Sequence, residues 1–356
     1  MQKLKKLAPV LAGLMLAAAC GADESTEETD TATSEAAEEE ASDTETEEAG
    51  ENETYTLKVG HIAPEDEAYA LGMQEYAEAV EEETDGRVLF EIFGDGTLGG
   101  ERELMEGVQL GNLDMSVVTT GVVTNFVTET TVLEFPFLFE DLDHAYEVMD
   151  GEIGQELLEH IEESGYKGIA FWENGMRHIA NNKHPIESPE DLNGLKMRTI
   201  ESELLIDTYE ALGTSPTPMA FPEVYGGLQQ GVIDGTDQSY GVMWSTGTYE
   251  QLDYLTENGL YYASATLLMN KDLYESMPAD IQTTIVELGQ EYAEVQREIA
   301  QELEVEQKAS LEEEGVEIIP EEEVDTEEYR ELVEPVYEKH TDEYGDYIER
   351  IQELAE

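Results

Sequence analysis

Cysteine is almost missing from this 356-residue chain: Cys20 stands alone, so no intrachain disulfide can form and no cysteine-based metal site or thiol nucleophile can sit in the body. Positive charge is nearly as scarce. Seventeen lysines and arginines face 85 acids, for a formal net charge of −68, and three of the seventeen (Lys3, Lys5, Lys6) fall in the first six residues. Without a basic footprint the chain is not built for nucleic acid. No G-x-S-x-G elbow or H-E-x-x-H pattern occurs, and the six histidines show no close metal-ligand spacing. With 85 acids, a pair of carboxylates says nothing about acid and base catalysis. These absences predict a protein that is not an enzyme and uses neither metal nor cofactor.

Apolar runs are short as well. The longest leading one, Leu7 to Ala19, follows the three lysines, falls short of a membrane span, and ends in Ala17, Ala18 and Ala19 before Cys20. This reads as an export signal over 1–19 with cleavage before Cys20. The small-residue box resembles the lipobox of bacterial lipoproteins, although Leu16 lies one place further from the cysteine than usual, and it implies lipidation of Cys20. From Gly21 to Thr54 the chain carries 15 acids, no bases and little apolar surface. Such a stretch cannot offset its ordering entropy by burial, so 20–54 is expected to be an extended acidic tether. Acidity spread over the rest of an exported surface points to work in concentrated salt, where the Debye length falls to about 3 Å at 1 M.

Beyond the tether, a hydrophobic fraction of 40% and about 300 residues suit one large or two medium α/β units. Strand patterns at 55–60, 87–93 and 113–119 alternate with helical patterns at 68–83 and 100–110. Further strands are expected at 166–172, 177–182, 195–200, 215–219 and 232–238. From Ala279 to Glu314 one helical pattern runs nine or ten turns to Gly315, long enough to strut two lobes. The letters show no internal repeat. Gly94, Gly96 and Gly99 form G-x-G-x-x-G with Asp114 downstream, but an exported protein has no secure nicotinamide supply, and turn geometry explains the glycines.

The informative cation is Arg198, in the strand LKMRTI. Alternation sets Lys196, Arg198 and Ile200 on one face and Leu195, Met197 and Thr199 on the other, so the guanidinium emerges at the strand's C-terminal end, where open α/β sheets bind ligands. Arg177 is a second candidate. A guanidinium grips a carboxylate by two parallel hydrogen bonds, and in a closed cleft that pair escapes screening.

Five segments in order resemble the solute-binding proteins of tripartite ATP-independent periplasmic (TRAP) transporters: LKVGH, TLGGERELMEGVQLGNLDM, FPFLF (Phe135 to Phe139), PEDLNGLKMR and TPMAFPEVYGGLQQGVIDG, spanning Leu57 to about Asp325. The resemblance implies a two-lobed periplasmic-binding-protein-like α/β fold with a long hinge-spanning helix, dividing as 55–174 plus 265–303 and 175–264 plus 304–356. It implies cleft closure around a small organic acid and delivery to integral membrane permease subunits. Arg198 matches the family's carboxylate-pairing arginine, Arg177 a second one, and Phe221 an aromatic of the cleft. Gln238, in Asp237-Gln238-Ser239, takes the place of the usual Asn of an ENP sequence. Glu101 and Thr119 match positions that vary with ligand, and His61 belongs to the first strand-to-helix loop. The context NGMRHIANNKHPI resembles members that bind uronates; a C4-dicarboxylate comes next. A zwitterion such as ectoine, held by Trp172 or Trp244, is a further reading, as is a ligand-sensing lipoprotein.

Overall fold

The computed structural model describes residues 53–355; the leader, Cys20 and the tether up to residue 52 lie outside them. The chain opens with β1 (Tyr55–Gly60), α1 (Ala68–Glu83), β2 (Val88–Phe93), α2 (Glu101–Gln109) and β3 (Met115–Thr119), then α3 (Thr120–Val123), α4 (Leu142–Asp150) and α5 (Glu152–Glu163). After β4 (Tyr166–Asn181) come β5 (Lys196–Thr199), α6 (Glu203–Ala211), β6 (Ser215–Pro218), α7 (Val224–Gln229), β7 (Gly235–Gln238) and α8 (Tyr240–Ser245). The chain then adds β8 (Tyr254–Asn270), α9 (Lys271–Ser276), α10 (Ala279–Glu314), β9 (Glu317–Ile319) and α11 (Thr326–Leu354).

An internal repeat, not evident in the letters, organises this order. β1 pairs in parallel with β2 and β3, and β5 in parallel with β6 and β7, so each lobe is one βαβαβ unit. Gly107–Ser116 (GVQLGNLDMS) and Gly227–Thr236 (GLQQGVIDGT) occupy the same turn, with Gly111 at φ 71° and Gly231 at φ 69°. In each turn an aspartate locks the strands. Lys58 N donates to Asp114 Oδ2 at 2.7 Å, and Lys196 N to Asp234 Oδ2 at 3.0 Å. Asp114 is thus a structural residue rather than a ribose ligand. The repeat is hidden because only four of these ten letters coincide, while backbone geometry and the aspartate are kept. The same 120-residue spacing sets Glu101 against Phe221, so the two units present residues from like places to the cleft.

The units are joined into one mixed nine-stranded sheet, in the order β2-β1-β3-β8-β4-β7-β5-β6 with β9 on β8. The two predicted strands at 166–172 and 177–182 are one 16-residue strand, β4, because Glu173-Asn174-Gly175, which reads as a turn, is a bulge that keeps pairing with β8. The expected sequence elements include neither β8 nor α11. One end of β8 pairs with β3 and the other with β9, so β4 and β8 run through both lobes. The long helix α10 lies along them and ends at Gly315, φ 100°, as expected. It approaches β4 because Gly289 has no side chain: a Cβ there would meet Ile169 Cγ2 at 2.2 Å. Gln296 fastens the crossing, accepting from Glu173 N at 2.7 Å and donating to Glu173 O at 2.8 Å. Further along, Glu304 accepts from Tyr240 N and Gly241 N at the start of α8. Among the described residues no helix is long and apolar enough to cross a membrane.

Candidate functional site

A cleft pocket with about 410 Å³ of empty space, part of it open to solvent, lies where the two units face each other, walled by Ile62, Glu67, Tyr69, Glu101, Thr119, Asn174, Arg177, Arg198, Ile200 and Phe221 among others. Arg198 emerges from the end of β5 into it. The residue is only 3% exposed, and its Nε donates to Met219 O at 3.0 Å. Its guanidinium carbon sits 5.6 Å from the Phe221 ring centroid, within cation–π range. Among the described residues no carboxylate forms an ion pair with Arg198. Burial draws its pKa below the ordinary value, helped by Arg177 and only partly opposed by Asp237 and Glu101, as for a desolvated cation with acids nearby but none in contact.

Arg177 differs. Its Nε donates to Asp237 Oδ2 at 3.0 Å, with both residues buried, and Nη1 reaches Asn174 Oδ1 at 3.4 Å. Asp237 also accepts from the hydroxyls of Tyr209 and Tyr261, each at 2.8 Å. Burial pushes the Asp237 carboxyl up, but Arg177, Arg198 and the two hydroxyls outweigh it, and the pKa is depressed. Arg177 is pulled down by burial and raised further by Tyr261 and Asp237, so it stays charged. The aspartate in the Asp237-Gln238-Ser239 run therefore neutralises one of the cavity's two guanidiniums.

The acids behave otherwise. Burial raises Glu101, partly countered by Thr119 and by Arg198; Thr119 N donates to its Oε1 at 2.6 Å, and Thr119 Oγ1 in turn accepts from Asn174 Nδ2 at 3.0 Å. Glu67 caps α1, accepting from Tyr69 N at 2.9 Å, and burial pushes it up to about 7. Behind the wall, Glu134 is fully buried against Gly121, neither carboxyl oxygen has a partner, and burial takes it to about 8.

Five of the seven predicted site residues, Arg198, Arg177, Phe221, Glu101 and Thr119, thus line one cavity. Gln238 and His61 lie off it. Gln238 is wholly buried and accepts from Thr248 Oγ1 at 2.6 Å. His61 is 2% exposed, is drawn down to about 4 by burial, and packs so closely on Gly94 that a Cβ there would meet its Cε1 at 2.8 Å. That contact, with Gly96 and Gly99 at positive φ, accounts for the glycine motif. Neither tryptophan walls the cavity: Trp172 is in the core, and Trp244 stacks on Tyr249 at 5.0 Å. Sequence reasoning missed Glu67, Tyr69 and Asn174. The first two follow β1 and are traceable from the rule that loops at strand C-termini hold ligands; Asn174 sits in a bulge that carries no such signal.

Two facing α/β units, a bridging helix and a buried cation in contact with no carboxylate at the cleft define a two-lobed binding protein for a small anion. The chain belongs to family 7 of the bacterial extracellular solute-binding proteins, whose model matches residues 59–343. A solute-binding protein of Verminephrobacter eiseniae is 38% identical over 264 residues, covering 74% of this chain and 79% of that protein. Among solved structures, a TRAP periplasmic solute binding protein from Polaromonas sp. JS666 bound to D-erythronate superposes with TM-score 0.81 at 36% identity, covering 84% of this chain and 98% of that one. Another from Pseudomonas putida F1, with bound D-glucuronate, gives 0.80 at 29% identity over 83% and 96% of the two chains.

Proposed function

We propose that the protein is the extracytoplasmic binding subunit of a TRAP transporter, which captures a small organic acid by pairing its carboxylate with Arg198 and delivers it to integral membrane permease subunits. The Arg198 guanidinium, buried at the cleft and in contact with no carboxylate, carries this reading: such a fork of donors is complementary to a carboxylate. The bound erythronate and glucuronate of the similar structures supply the class, an acid bearing hydroxyls. No bond is made or broken. Ligand contacts to Arg198 on one lobe and to Glu101 and Thr119 on the other favour the closed form by their difference in affinity. The moving bodies are 55–174 with 265–303 and 175–264 with 304–356; the continuous β4, β8 and α10 form the bending region.

Cys20 carries the lipid in this reading, and the acidic tether holds the binder near the membrane, raising its local concentration there. The acidic surface suits concentrated salt, in which only short-range pairing selects an anion. Thermal-shift and calorimetric screening against organic acids at high salt tests the reading. Sugar acids should raise the melting temperature of the wild type and leave Arg198→Ala unmoved; stabilisation of both alike would place the ligand elsewhere.

A further inference from the structure

We infer that Glu67 is a specificity residue, with Tyr69 beside it as a hydrogen-bond donor to the ligand, and that Glu67 makes the cavity select hydroxylated monocarboxylates over dicarboxylates of the same length. This rests on the carboxylate reading of Arg198. The first ground is a count of ion pairs. Two guanidiniums face the cavity, Asp237 pairs with Arg177, and Arg198 is the one left in contact with no carboxylate, a place for a single ligand carboxylate.

The second ground is what stands across the cleft. Glu67 follows β1 on the lobe opposite Arg198, is 6% exposed, and is held by its bond from Tyr69 N, so it cannot swing into solvent. Besides Arg198 itself, the charged groups that line cavities with it from other elements are Glu101 on α2, Glu173 and Arg177 on β4, and Glu304 on α10, of which Glu304 and Arg177 act on it directly. Only Arg177 is cationic, and it is already paired. A second ligand carboxylate would therefore be desolvated beside Glu67 and Glu101 with no free positive group, whereas a hydroxyl can donate to either acid.

The third ground is an unmet hydrogen bond. The Tyr69 hydroxyl is buried beside the Thr119 side chain but makes no bond of good hydrogen-bond geometry, and Tyr69 lines the same cavity. A ligand hydroxyl can accept from Tyr69 and donate to Glu67 at once. A carboxylate can only accept, so it satisfies the tyrosine and leaves the acids opposed. Burial holds the Glu67 carboxyl at about 7, so its repulsive charge is present above neutrality and fades below.

The experiment compares acids that differ only by a terminal CH2OH or carboxylate: D-erythronate with meso-tartrate, and D-galactonate with galactarate. Calorimetry is run in high salt at pH 8 and pH 6. At pH 8 the better monocarboxylate should bind at least about tenfold more tightly than its dicarboxylate partner, because like charges brought together in a desolvated site are strongly disfavoured. The gap should narrow at pH 6. Glu67→Gln, which keeps an oxygen for Tyr69 N, should narrow it at pH 8 by raising the dicarboxylate's affinity about tenfold while moving the monocarboxylate by less than about threefold. Tyr69→Phe should weaken both members of each pair about tenfold and leave the gap, which tests the ligand's contact with the tyrosine; the wild-type change in the gap between pH 8 and pH 6 checks the assignment if Glu67→Gln fails to fold. Equal binding within each pair, or an unchanged gap in Glu67→Gln, overturns the inference and leaves the carboxylate reading standing. If none of the four acids binds, the carboxylate reading falls and the inference with it.

Discussion

Arg198 and Arg177 face the same cavity, yet their removal should be felt in different experiments. In the unliganded protein Arg198 has one hydrogen bond, to Met219 O, and a ring contact with Phe221. Each contributes about 1 kcal/mol, and the cost of desolvating an unpaired cation offsets them, so Arg198→Ala should change stability by no more than about 1 kcal/mol. In the complex the same arginine faces the ligand carboxylate out of water. Leaving such a charge unpaired costs about 3 to 5 kcal/mol, which at about 1.36 kcal/mol per decade is roughly two to three and a half orders of magnitude in Kd. Arg177→Ala instead strands Asp237, which is wholly buried, with only the Tyr209 and Tyr261 hydroxyls as donors. Its loss should appear before any ligand is added, as a destabilisation of about 3 to 5 kcal/mol. Denaturant titration of the unliganded variants, followed by calorimetry with the best sugar acid, separates the two. Unchanged affinity in a folded Arg198→Ala, or equal destabilisation by both substitutions, would refute the assignment of one arginine to the ligand and the other to Asp237.

Three further outcomes follow from the same geometry. Glu134 titrates near 4.5 when unfolded and about 8 when folded, so the folded state keeps a proton that the unfolded state has lost, and stability declines as pH rises from about 5 to 8. Glu134→Gln should remove that part of the decline, up to about 4 kcal/mol at pH 8, as read by denaturant titration at pH 6 and 8; parallel losses in both proteins would show that Glu134 is not its source. Gly289→Ala must displace Ile169 or lift α10 from β4, so a destabilisation of about 1 to 3 kcal/mol is expected, and wild-type stability would mean the contact is not tight. Raising NaCl from about 0.1 to 2 M should increase the melting temperature by screening the acidic surface. A flat response would remove the argument from concentrated salt.

Much of the local structure is legible in the letters, because short apolar strands bounded by turns and a 36-residue helical pattern have few alternatives. β1, α1 and α10 begin and end where the sequence places them. The long strands are not legible. Glu173-Asn174-Gly175 has turn chemistry, and only β8 alongside makes it a bulge in a strand shared by both lobes. Nor does the letter pattern reveal the repeat, since what it conserves is a positive-φ glycine and an aspartate bonded to a neighbouring strand's backbone.

For the site, the sequence by itself determined that a rare cation stands at the end of a strand, while Phe221, Glu101 and Thr119 were implied by the resemblance to the family. Strand polarity is a local property, and it aims the cation's side chain at one edge of a sheet. Tertiary structure alone decided which of two arginines is free. Asp237 lies 60 residues from Arg177 and meets it only because β4 and β7 pair, and the same assembly sets Glu67 and Tyr69 across the cleft from Arg198. A buried charge is defined by the counter-ions within a few ångströms, and that neighbourhood comes into being only when distant segments pack.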